Sequence, residues 1–78
     1  MAVDVEQLIA GIADALEVEV GSVTTESRSS DIEEWDSLGH ISVMTFLDRT
    51  YDEITERVPD FASATSVQEI LELLNQNL

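Results

Sequence analysis

The chain has 78 residues, 44% of them hydrophobic, and sets seventeen Asp and Glu against three Arg (Arg28, Arg49, Arg57) and no Lys, for a formal net charge of −14. That length suits one small domain, which buries about 60% of the surface its unfolded form exposes, and the apolar content argues against disorder. So negative a surface repels polyanions, which excludes nucleic acid and anionic membrane as expected partners and leaves protein surfaces with basic patches.

The first ten residues, "MAVDVEQLIA", carry acids where a signal peptide needs positive charge, and no apolar run approaches membrane-spanning length. The expectation is a cytoplasmic, monomeric domain. From Val5 to Leu16 the residues Val5, Leu8, Ile9, Ile12, Ala13, Ala15 and Leu16 recur at helical spacing, with Asp4 placed to cap and Gln7 three residues on. The next segment, "EVEVGSVTTESRSSDIEEW", follows neither helical nor strand periodicity and reads as a long loop pinned by Val18, Val20, Val23 and Ile32. Loops of that length are uncommon in compact domains and are usually functional or disordered, so the length itself hints at a binding role. A second helix is predicted from Asp36 or Ser37 to about Asp52, with Leu38, Ile41, Val43, Leu47, Tyr51 and Ile54 turned inward. Pro59 then starts a short helical turn through "PDFASA", and Ser66 with Glu69 forms a capping box for a last helix whose apolar face is Val67, Ile70, Leu71, Leu73 and Leu74. The predicted fold is all-α: a small bundle of three to four helices, one domain over residues 1–78, with a long loop between the first two helices and no paired strand.

Chemistry concentrates in "EEWDSLGHIS", Glu33 to Ser42. Asp36, Ser37 and His40 resemble a compressed catalytic triad, yet so small a helical chain offers little room for an in-line base, an oxyanion hole and a cleft together. The expectation is a non-catalytic protein. There is no Cys, hence no disulfide, thiolate metal site or cysteine nucleophile. Calcium-loop and His/Cys metal patterns are missing too, which leaves only weak, stabilising divalent binding by Glu33, Glu34 and Asp36. Those acids also suit the positive end of a helix dipole. Trp35 is either a staple packed on the helix start or an exposed contact for a partner. Gly39 costs up to about 1 kcal/mol in a first helical turn relative to Ala, so either the helix end tolerates it or something approaches the backbone there.

"DSL", Asp36 to Leu38, opening the second helix of an acidic helical bundle, resembles the attachment site of the acyl carrier protein family. The likeness extends over the chain: a first helix ending at Leu16 and Val18, a long loop, Ser37, and then "TSVQEI" from Thr65 to Ile70. The resemblance implies that a phosphopantetheinyl transferase attaches phosphopantetheine from coenzyme A to Ser37. It also implies that Asp36 assists that transfer and that Leu38 borders an acyl cleft. Partners would be acyl-loading and acyl-processing enzymes with basic docking patches, meeting Glu33, Glu34, Trp35, Gly39, His40 and Ile41 on an acidic face of the second helix. The missing cysteine fits this reading, since a thioester carrier without a thiol of its own takes one from its cofactor.

Departures from the family's pattern narrow the expectation. Gly39 and Ser42 stand where carriers of general fatty-acid synthesis usually have acids, and Arg49 adds a positive charge. The reading is therefore a specialised stand-alone carrier in a lipid, polyketide or related biosynthetic pathway. The alternatives are a D-alanyl or peptidyl-type carrier, or an unmodified acidic helical adaptor docking onto basic partners.

Overall fold

The computed structural model describes residues 3–78, and within them the architecture is the expected all-α bundle. Helix α1 runs Val5–Leu16, α2 Ser37–Thr50, α3 Ile54–Arg57 and α4 Val67–Asn77, with 3-10 turns at Val20–Ser22, Ser29–Asp31 and Pro59–Ser63. The core is mainly aliphatic: Leu8, Ile12, Val43, Leu47, Ile54, Val67, Ile70 and Leu74 are fully buried around the Phe61 ring, with Trp35 buried at its edge.

Helix α1 starts as predicted, the Asp4 carboxylate accepting from the Gln7 amide at 3.2 Å. Its end is a Schellman motif: Glu17 adopts φ 59°, its N–H bonds back to Asp14, and the Val18 N–H bonds to the Ala13 carbonyl at 3.0 Å. Gly11 meets α2 here, because the Phe46 ring occupies the space a side chain would need.

The loop between α1 and α2 is held by side chains and by backbone. Val23, Ile32 and Trp35 are buried and Val18 is half-buried, but Val20 opens the first 3-10 turn and stays 57% exposed, so it anchors nothing. The Ser29 N–H donates to Thr65 O at 2.7 Å and the Val67 N–H to Ser27 O at 3.0 Å, an isolated antiparallel bridge centred on Arg28 and Ser66. Buried Ser27 is satisfied at its side chain, its Oγ accepting from the Thr24 N–H at 2.9 Å.

Helix α2 corrects the expected packing. Val43 and Leu47 are buried, but Leu38 is 76% and Ile41 56% exposed. At 100° per residue the latter pair lies about 170° around the axis from the former, so one apolar stripe cannot contain all four. The helix also stops at Thr50, earlier than predicted. Asp52 and Glu53 both take positive φ (57° and 56°), and Ile54 enters the core from α3, as a separate turn rather than as the tail of α2. The Asp48 carboxylate fixes this reversal by accepting from the Thr55 N–H at 2.9 Å and its hydroxyl at 2.7 Å. Arg57 donates to the carbonyls of Tyr51 and Asp52, both at 3.2 Å. Burial, helped by the negative charge of Asp4, pushes the Tyr51 phenol above its ordinary value of 10.0.

Pro59 does begin a short turn, of 3-10 form, which delivers Phe61 to the core. The cap of α4 is half as expected. The Ser66 hydroxyl accepts from the Glu69 N–H at 3.1 Å, but the Glu69 carboxylate reaches past Ser66 to the N–H (3.3 Å) and hydroxyl (3.1 Å) of Thr65.

Candidate functional site

The mouth of α2 is organised by Asp36, the N-cap, whose carboxylate accepts from the Gly39 N–H at 2.9 Å. Ser37 is therefore the first helical residue and not the cap. It is exposed, and among the described residues its hydroxyl has no hydrogen-bond partner.

Trp35, immediately before the cap, is buried at 4% exposure, which removes it as an exposed partner contact. It is the staple instead, packed on His40 one turn into the helix with ring centroids 6.2 Å apart and planes 20° from parallel. The indole N–H can only donate, and it lies 3.0 Å from His40 Nδ1. That nitrogen is thus the acceptor, the proton sits on Nε2, and Nε2 donates to the Phe61 carbonyl at 2.9 Å. With both ring nitrogens engaged and the Asp36 carboxylate turned to Gly39, His40 has no nitrogen to offer Ser37. The compressed sequence does not fold into a triad.

Gly39 is half-buried for a steric reason. A β-carbon there would overlap the Glu34 backbone carbonyl and press on Leu16. Of the two readings of this glycine, the close approach is the one realised.

Two concavities flank the start of α2. The larger, about 500 Å³, runs from Ser37 between α2 and the segment before α4, with Trp35, Ile41, Met44, Ala62 and Ala64 among its walls. Its Ser63 and Thr65 hydroxyls are bonded within the chain, to Asp60 O and to Glu69. The smaller, about 260 Å³, lies on the α1 side between Leu16, Glu17, Glu34, Leu38 and Ser42. Leu38 and Ile41, each lining one of them, form the ridge between the two.

The sequence-predicted residues therefore cluster in space but divide by role. Ser37, Leu38, Ile41, Glu33, Glu34 and Asp36 face solvent; Trp35, Gly39 and His40 hold the helix mouth together. The three acids form no cation site: no group of three His, Cys, Asp or Glu able to hold a metal occurs among the described residues. Nor is the outer face of α2 acidic. Its only acid is Asp48, bonded to Thr55, while Ser37, Leu38, Ile41, Ser42, Thr45 and Arg49 are exposed. Sequence reasoning missed Met44, which shares a face with Ser37 at i+7 and was readable. It also missed the far wall at Ala62 and Ala64, for which no local signal exists.

No helix among the described residues is long and apolar enough to cross a membrane. The chain matches no protein-family model, no curated protein and no solved structure.

Proposed function

We propose that this chain is an acyl carrier modified on Ser37. The observation that carries the reading is a serine at the first position of α2, exposed, its hydroxyl free among the described residues, at the lip of an apolar groove of about 500 Å³. The likeness of "DSL" and its surroundings to the acyl carrier family supplies the chemistry: a transferase would join phosphopantetheine from coenzyme A to the Ser37 oxygen. When bound, that arm supplies the thiol on which an acyl group is carried as a thioester.

The residues present suit such a group. Asp36 performs the capping, which leaves Ser37 available without loss to the helix. A phosphodiester on Ser37 would lie at the positive end of the α2 dipole, where negative charge is favoured. The Trp35–His40–Phe61 connection holds the groove wall beside the attachment point. Recognition and presentation belong to the protein; the acyl chemistry belongs to partner enzymes in a lipid, polyketide or related pathway.

The test is intact mass after incubation with coenzyme A, magnesium and a broad-specificity phosphopantetheinyl transferase, with Ser37→Ala alongside. The parent gains one phosphopantetheine and the variant none, while Ser37→Ala changes stability by less than about 0.5 kcal/mol because the cap is Asp36. A folded parent that gains no mass would reject the carrier and leave the acidic adaptor as the better reading.

A further inference from the structure

His40 stands in a hazardous place for a carrier. It follows Ser37 at i+3, so it shares a face of α2 with the attachment point, about 4.5 Å farther along the axis. It also lines the groove at whose lip Ser37 lies. A cargo carried from Ser37 on a flexible arm comes within reach of that ring. Imidazole is the side chain whose lone pair serves as a base near neutral pH, and a thioester is open to water activated in this way. The step needs no further reagent. Water adds to the thioester carbonyl as its proton passes to the ring nitrogen, the thiolate leaves and takes that proton, and free acid and thiol remain.

Hydrogen bonding takes the lone pair out of that chemistry. A neutral imidazole has one unprotonated nitrogen. In His40 it is Nδ1, covered by the Trp35 indole N–H at 3.0 Å, while Nε2 gives its proton to the Phe61 carbonyl at 2.9 Å. Trp35 is itself held in place, buried and stacked on the same ring, and withdrawing it would leave a buried donor unpaired. Resting on the reading of Ser37 as the attachment point, we propose that Trp35 is a positioning residue that keeps His40 silent toward the carried thioester. The carrier thereby does not hydrolyse its own cargo, although its one histidine lines the groove that the cargo meets first.

The first readout needs no cargo. Hydroxylamine-reversible carbethoxylation by diethyl pyrocarbonate at about pH 7.5, followed by intact mass with His40→Gln as the blank, reports the free lone pair of the one histidine. The folded parent reacts at least about tenfold more slowly than N-acetylhistidine, and Trp35→Phe at least about fivefold faster than the parent. The second readout is loss of an acetyl group installed from acetyl-coenzyme A by the same transferase. Gln at position 40 offers an acceptor and a donor in place of the two ring nitrogens but no base. Parent and His40→Gln therefore lose acetyl at equal rates from about pH 6 to about pH 9, following hydroxide with no inflection in the histidine range. Trp35→Phe loses it about tenfold faster than the parent at about pH 7.5, short of the roughly 10²–10⁴ of a fully positioned base, and Trp35→Phe with His40→Gln returns to the parent rate. A parent whose His40 reacts like N-acetylhistidine, or that hydrolyses faster than His40→Gln with such an inflection, overturns the proposal whether or not Trp35→Phe folds. A double variant as fast as Trp35→Phe overturns it too, because the cause is then water entering a loosened groove. So does a Trp35→Phe chain, folded by circular dichroism, whose His40 reacts but whose acetyl group is no shorter-lived. A parent that the transferase never modifies rejects the carrier reading itself and leaves the carbethoxylation result standing, so the two failures are distinguishable.

Discussion

Gly39 shows how a single residue decides what a helix mouth can be. By propensity alone, replacing it with Ala would favour the helix by up to about 1 kcal/mol. The Glu34 carbonyl occupies the place of the new methyl group, and backbone cannot step aside as a flexible side chain would. Gly39→Ala is therefore expected to destabilise by about 1–3 kcal/mol in chemical denaturation, as overpacking does. The sequence marked this position as anomalous without showing which neighbour made it so, because the Glu34 carbonyl is placed by the path of the chain entering α2 and Leu16 by tertiary packing. Trp35 is a similar case. Its place before the cap allowed both a staple and a partner contact, and its burial resolves the choice, with His40 Nδ1 satisfying the indole N–H.

Among the elements, those whose signals are local were legible. Asp4, Pro59 and Ser66 act on amides or dihedrals within a few residues, and each terminates or starts a helix where the sequence placed it. The register of α2 was not legible, since Leu38 and Ile41 keep helical spacing with each other while lying opposite Val43 and Leu47. Loop, α2 and the Pro59–Ser63 turn are joined at one side chain, His40, which accepts from Trp35 and donates to Phe61 O. His40→Phe keeps a ring on the indole but leaves that N–H and that carbonyl without their partner. The expected loss is about 2–4 kcal/mol, summing two groups at about 1–2 each, and the tryptophan fluorescence of the folded state should shift as the indole loses its acceptor.

At the scale of the whole molecule, the fold class followed from apolar periodicity, but the groove did not. Its walls, Ile41 and Met44 on one side and Ala62 and Ala64 on the other, come from segments that meet only once the chain has folded. Net charge acts at the same scale. A charge of −14 spread over 78 residues works against the compact state through self-repulsion, and the described residues contain no acid cluster that would select a divalent ion. Raising sodium chloride from about 0.05 to about 0.5 M should therefore lift the thermal midpoint by several degrees. Magnesium at matched ionic strength should lift it no further, and an extra magnesium-specific rise would point to a cation site formed outside this arrangement.

The bridge between Arg28 and Ser66 has a kinetic side. The amides of Ser29 and Val67 can be paired only after about half the chain has been gathered into a closed loop, and contacts at such sequence separation are entropically late. The Asp36 cap needs only its own turn. The helix that presents Ser37 can thus form early, while the wall facing it across the groove arrives with the last closure, and hydrogen exchange at Ser29 and Val67 would report the opening of the groove's far side separately from fraying at the helix mouth.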